Sequence, residues 1–99
     1  MLNINKSVEN GSLIYALSGR LDTVTAPELE RALRDELGDV SSLILDFAGL
    51  EYISSAGLRV LLGAQKVMTK QGRMTVTHVS EPIMEIFEVT GFSDILTIV

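Results

Sequence analysis

Apolar and polar residues alternate from the second position onward. Leu2, Ile4 and Val8 share one side and Asn3, Asn5 and Ser7 the other, with Lys6 interrupting the apolar side. A period of two predicts a half-buried strand. Asn10-Gly11 follows, a pair that tolerates positive φ and signals a hairpin, so residues 12–18 are expected to return antiparallel to the first strand. Gly19 closes that strand and opens a loop over 19–25. Thr25 is the expected N-cap of the next helix, with Glu28 completing a capping box and Pro27 in the first turn. That helix runs to about Leu37, turns Leu29, Ala32, Leu33 and Leu37 inward, and takes Gly38 as its C-cap. Residues 42–47, Ser-Leu-Ile-Leu-Asp-Phe, form a short aliphatic run, which predicts a strand buried on both faces as in parallel sheets.

A loop containing Gly49 leads to Tyr52-Ile53-Ser54-Ser55. From Ser55 to Gln71 the pattern turns helical. Gly57, Val60, Leu61, Ala64, Val67 and Met68 fall on one side and Arg59, Lys66 and Lys70 on the other, with Gly72 as C-cap. Residues 73–79, which include His78, are rich in β-branched side chains and predict a strand. Ser80 caps a helix over Glu81–Thr90 with Pro82 in its first turn, Gly91 ends it, 92–94 make a turn or short helical piece, and 95–99 make a last strand. The order β-β-α-β-α-β-α-β, without linker or repeat, predicts one domain over 1–99. Its class is α/β, with a mostly parallel sheet, an N-terminal antiparallel hairpin strand and helices as cover. Sites in such sheets gather at the carboxyl ends of the strands. Two segments are expected to meet there: 19–25 with Asp22, and 46–57 with Asp46, Ser54 and Ser55.

Composition narrows the chemistry. The chain has 99 residues, 46% of them hydrophobic, enough for one core and too apolar for disorder. Cysteine is absent and His78 is the only histidine, which excludes disulfide scaffolds, thiolate zinc sites, cysteine nucleophiles and two-histidine devices. No apolar run approaches the roughly 20 residues of a membrane span, and the N-terminus lacks the pattern of a signal peptide, so a soluble cytoplasmic protein is expected. A net charge of −5 argues against nucleic acid as a partner. The charge is uneven, however: residues 59–80 carry Arg59, Lys66, Lys70 and Arg73 and no acid. The plain explanation is a solvated helix face; the sharper one is a patch that meets an acidic partner. No glycine-rich nucleotide loop and no Gly-x-Ser-x-Gly elbow is present. Asp22, Asp46 and Glu51 without further ligands make a poor metal site. No catalytic residue, metal or cofactor is expected.

Ser54-Ser55-Ala56-Gly57-Leu58 stands apart. Serines opening an amphipathic helix serve as N-caps. The functional alternative is a regulated hydroxyl: a helix N-terminus tolerates phosphate, and the small Ala56 and Gly57 let a partner's active site approach. With the Leu43–Asp46 strand before it, Tyr52–Leu58 resembles the signature of bacterial anti-sigma-factor antagonists, which are single STAS (sulfate transporter and anti-sigma factor antagonist) domains. Leu17-Ser18-Gly19-Arg20-Leu21-Asp22 resembles the family's Gly-x-Leu/Ile-Asp turn, and Glu85–Phe92 its apolar helix ending in Gly-aromatic. Together the three motifs span nearly the whole chain.

The resemblance implies a partner-switching protein rather than an enzyme. Ser55 would be phosphorylated by a partner that is both anti-sigma factor and serine protein kinase, and that supplies ATP and Mg²⁺. The unphosphorylated form would bind this partner and free its sigma factor, and a PP2C-type phosphatase would reset the phosphorylated form. The partner-binding surface would comprise Asp22, Ser54, Ala56, Gly57, Leu58 and Arg59. Three of these positions depart from the family pattern: Ser54 stands where an acid is usual, Ala56 where a second hydroxyl is, and Arg59 where a small residue is. Two other classes stay open: a STAS scaffold or small cytoplasmic subunit of a membrane transport complex that never carries phosphate, and a small-ligand or nucleotide sensor using the same pole.

Overall fold

Asn10 and Gly11 adopt φ of 51° and 82°, and this turn folds β1 (Leu2–Glu9) back antiparallel onto β2 (Ser12–Leu21) in the computed structural model, which describes residues 1–99. α1 (Ala26–Glu36) carries the chain to β3 (Ser42–Ile53), parallel to β2, and α2 (Ser55–Gln71) to β4 (Arg73–Thr77), parallel to β3. α3 (Glu81–Thr90) and a 3₁₀ turn (Phe92–Asp94) follow. Strand order is β1-β2-β3-β4. The expected last strand is reduced to one parallel bridge, Val76 to Ile98, held by Val76 N–H to Thr97 O and Val99 N–H to Val76 O.

Cross-strand register explains which side chains are buried. Leu13, Leu43 and Met74 line up across the sheet, as do Tyr15, Leu45 and Val76, and all six are buried. The Tyr15 hydroxyl donates to Ala32 O of α1 (3.1 Å), and Phe47 meets Phe87 of α3 at 6.3 Å between ring centroids. Leu61 and Met68 of α2 join the same core. All three helices therefore lie on one face. The other face, with Ile14, Ala16, Ile44, Asp46, Thr75 and Thr77, is only partly covered. The expectation that residues 42–47 are buried on both faces is thus corrected: β3 alternates, because no helix packs on its second side. The alternation of β1 also fades, since Val8 is exposed and Lys6, on the core side opposite Tyr15, reaches Glu36 at the end of α1 (2.7 Å).

Two strands are longer than expected and one is shorter. β2 continues through Gly19 and Arg20 to Leu21, and β3 through Gly49 and Tyr52 to Ile53, paired across two register shifts. β4 stops at Thr77, so His78 lies outside the strand in the left-handed region (φ 56°), with its Nδ1 3.0 Å from Asp46 Oδ1. The C-cap of α1 is Leu37 in right-handed geometry rather than Gly38. The Gln71 side-chain amide donates to Leu37 O and Val40 O, supplying from α2 the partners that this helix end needs.

Tyr15 yields a testable pH dependence. Burial pushes its phenol from 10.0 up to about 12, with the charges of Glu36 and Asp35 adding to the effect. Above pH 10 the unfolded chain releases this proton first, so the stability the neutral phenol contributes falls as pH rises toward 12. Tyr15→Phe is expected to cost about 1 kcal/mol near neutral pH, for the lost hydrogen bond. The deficit should shrink across that alkaline window when urea unfolding of the two proteins is compared pH by pH.

Candidate functional site

The carboxyl ends of β2 and β3 end side by side: Leu21 pairs with Ile53, and Leu21 O accepts from Ser54 N–H (2.9 Å). This backbone bond turns the chain out of β3 and into α2. Ser54, in extended conformation, is the N-cap, and its hydroxyl accepts from Gly57 N–H (3.4 Å). Ser55 is then the first helical residue, exposed, and no hydrogen bond within the chain occupies its hydroxyl. The two adjacent serines have thereby been given different roles by the helix start. Ser54 caps the helix, and the Ser55 hydroxyl is exposed at its open end.

Gly57 sets how closely α2 approaches the sheet. A Cβ there would lie 2.8 Å from Leu21 Cγ and 2.9 Å from Ile53 Cγ1. Gly57 and Leu58 are buried. In the free chain they hold the helix start against the strand ends. Ala56 is partly covered and Arg59 is exposed.

Asp22 sits where expected, one residue after the carbonyl that holds Ser54, but its carboxylate is not idle. Asp22 Oδ1 accepts from the backbone N–H of Val24 and of Thr25, both at 3.0 Å. Thr25 is buried and makes no side-chain cap bond. Its hydroxyl accepts from Asp22 N–H (2.8 Å) and donates to Arg20 O (2.8 Å). The capping box expected from Thr25 and Glu28 is thus replaced by an Asp22–Thr25 turn, in which Asp22 supplies the acceptor for the helix entrance. The hydrogen bond from Thr25 N–H, followed by smaller contributions from the Thr25 hydroxyl and Val24 N–H, holds the Asp22 carboxyl below its ordinary 3.8. A depressed carboxyl contributes stability that is complete above its unfolded value and lost as pH falls through the lower folded one. Asp22→Asn keeps an acceptor oxygen but has no charge to lose. Thermal unfolding below pH 4 is therefore expected to fall more steeply for the native protein than for Asp22→Asn, while Asp22→Ala is weakened already at neutral pH.

Asp46 does not join this pole. It pairs with Ala16 and Thr77, and five residue steps of β2 separate that register from the Leu21–Ile53 pair, about 17 Å along the strand. Its side chain bonds Ala48 N–H and His78 instead. In its place the structure brings in two residues that sequence reasoning missed. Arg20 and Tyr52 face each other across β2 and β3, with the guanidinium 4.2 Å over the ring and 3.8 Å from Asp22 Oδ2. Their signal was the continued strand pairing beyond Ser18, which Gly19 concealed. No three potential metal ligands come together anywhere in the structure, and no helix is long and apolar enough to cross a membrane.

The pole therefore combines an exposed serine, whose hydroxyl has no partner within the chain, with a collar of backbone hydrogen bonds around Asp22 and Ser54. The STAS domain model matches residues 3–99, and the chain belongs to the STAS domain family. BtrV of Bordetella bronchiseptica, described provisionally as an anti-sigma factor antagonist, is 35% identical over 91 residues, which cover 90% of this chain and 78% of that protein. The anti-sigma-B factor antagonist of Bacillus subtilis is 29% identical over 100 residues, covering 98% and 92%. Among solved structures, the Bacillus anti-sigma factor antagonist SpoIIAA superposes in its unphosphorylated form with a TM-score of 0.75 at 19% identity, covering 100% of this chain and 87% of that one. Its phosphorylated form gives 0.74 at 19% identity, covering 100% and 91%.

Proposed function

We propose that this protein is an anti-sigma factor antagonist whose switch is Ser55. In the unphosphorylated state the pole formed by Asp22 and the segment Ser54, Ser55, Ala56, Gly57, Leu58 and Arg59 binds a partner that is both anti-sigma factor and serine kinase. That partner transfers the γ-phosphoryl group of its own ATP to the Ser55 oxygen, and a PP2C-type phosphatase removes it. The observation that carries the proposal is the division of labour between the two serines, with Ser54 held in the cap and Ser55 free and exposed. The names of the relatives support the antagonist role, and the existence of SpoIIAA in a phosphorylated form supports covalent regulation on this fold. In phosphoryl transfer catalysis is largely positioning and charge stabilisation around the phosphate, so an acceptor on a rigid helix start needs no base of its own.

The test is incubation with the cognate kinase and ATP, followed by intact mass and peptide mapping. One phosphate on Ser55, absent from Ser55→Ala, is expected. Phosphate on Ser54 alone would overturn the assignment, and an unmodified protein both from native cells and after the kinase reaction would favour a scaffold that never carries phosphate.

A further inference from the structure

The outer side of α2 continues from Ser55 in an ordered way. At 3.6 residues per turn Ser55, Arg59, Gly63, Lys66 and Lys70 fall within about 80° of the helix circumference. α2 contains three cations and no acid, in a chain whose net charge is −5. The four ion pairs of the molecule use Lys6, Arg20, Arg34 and His78, so Arg59, Lys66 and Lys70 are all left without an acidic partner. Beside this row, between α1 and α2, runs an open groove of about 340 Å³, lined by Leu33, Leu37, Val60, Ala64 and Val67, with Arg59 as the one cation of the row in its wall and the Glu30–Arg34 ion pair on the α1 side. Val67 remains 43% exposed in it.

Gly63 lies at the middle of the groove's α2 wall. Unlike Gly57, it has no structural reason to be glycine: no heavy atom lies within 4 Å of the place its Cβ would take. A glycine inside a helix costs stability relative to alanine, and nothing within the chain offsets that cost. Bare backbone in the wall of an apolar channel permits close approach of something outside the chain. An apolar floor with the unpaired Arg59 in its α2 wall, and Lys66 and Lys70 on the adjoining face of the same helix, matches the helix-in-groove mode of recognition.

We infer that this groove is the docking track for an acidic amphipathic helix of the anti-sigma factor kinase. That helix crosses α2 at Gly63, seats its apolar stripe against Val60 and Val67, and turns its carboxylates toward Arg59, Lys66 and Lys70. The inference rests on the kinase-binding reading above and adds where the partner lies and what chemistry it presents. A second copy of this chain fits less well, because its acidic helix, α3, already buries Ile83 and Phe87 in its own core. The track also accounts for the direction of the switch. Helical side chains lean toward the N-terminus, so Arg59 reaches back over Ser55 one turn away. A phosphate there, with about −1.5 to −2 charges, takes Arg59 as its counter-ion and repels the carboxylates at the entrance of the track.

Calorimetry of the cognate kinase with unphosphorylated protein tests this. Gly63→Leu puts a side chain into the channel from a position whose Cβ meets open space, and Lys66→Glu reverses one charge of the row beside it. Arg73→Glu makes the same charge change on the open sheet face. The first two are expected to bind at least tenfold more weakly with native circular dichroism, and Arg73→Glu within twofold of wild type. If Gly63→Leu and Lys66→Glu bind within twofold of wild type while phosphorylation of Ser55 still abolishes binding, the track is wrong and the switch stands. If wild type binds in neither form, both readings fall. If Gly63→Leu instead dissociates a wild-type dimer in sedimentation equilibrium and leaves kinase affinity unchanged, a second copy occupies the groove and the inference is overturned.

Discussion

Phosphorylation of Ser55 is expected to weaken binding to the anti-sigma factor kinase at least tenfold, about 1.4 kcal/mol, without unfolding the domain. The charge enters at the first residue of α2, where the helix dipole and free amides tolerate an anion, so the fold is not opposed. It also enters beside Asp22, whose carboxyl is held ionised by the Thr25 and Val24 amides. A docked partner would cover both anions, and like charges brought together across an interface oppose association by an amount on the order of several kcal/mol. Asp46 takes no part, because the sheet register holds it away from the pole. Ser55→Ala should therefore bind whether or not ATP has been supplied, and Ser55→Asp or Ser55→Glu should bind at least tenfold more weakly than wild type. A single carboxylate imitates phosphate imperfectly, so the phosphoprotein is the stronger comparison. Equal affinities by calorimetry for the phosphorylated and unphosphorylated forms, both with native circular dichroism, would remove the switch.

Gly57→Val is expected to lower stability by roughly 2–3 kcal/mol, which for a domain of this size moves the thermal midpoint by about 10–20 °C. Leu21 is fully buried and Ile53 2% exposed, so neither can swing away from a new Cβ that would start within 3 Å of both. Relief has to come from moving the start of α2 off the strand ends, which strains the Leu21–Ser54 backbone bond and displaces Ser55. Phosphorylation of the folded fraction at low temperature should slow as well. Gly63→Ala is the control in the same helix: it removes a glycine of similar helical cost and meets open space, so its midpoint should rise. Equal shifts at the two positions would show that helix propensity, not the contact with the strands, governs Gly57.

Elements whose signal is local were legible. The Asn10-Gly11 turn, α2 from Ser55 to Gln71 and α3 from Glu81 to Thr90 lie where the apolar spacing and the serine, proline and glycine punctuation place them. The strands were less legible wherever pairing outlasts alternation. Residues 19–21 and 48–53 look like loop because glycines and polar residues break the period of two. They are strand because β2 and β3 hold each other through two register shifts, and such pairing depends on a neighbour distant in sequence. The same extension moved Asp46 out of the site and brought Arg20 over Tyr52.

The sequence alone determined the order of elements through α3 and the helix that opens on the serine pair. These depend on spacing within one or two turns of chain, where side-chain period and cap chemistry act without reference to the rest of the molecule. Tertiary structure decided which serine caps and which is free, that Asp22 rather than Thr25 supplies the entrance acceptor of α1, and that Gly57 and Leu58 face inward. It also decided that helices cover only one face of the sheet, and that Arg59 of α2 stands in the wall of an open groove. Each of these outcomes turns on which surfaces meet once β2, β3 and α2 have packed, a matter of distances of a few ångströms between residues tens of positions apart.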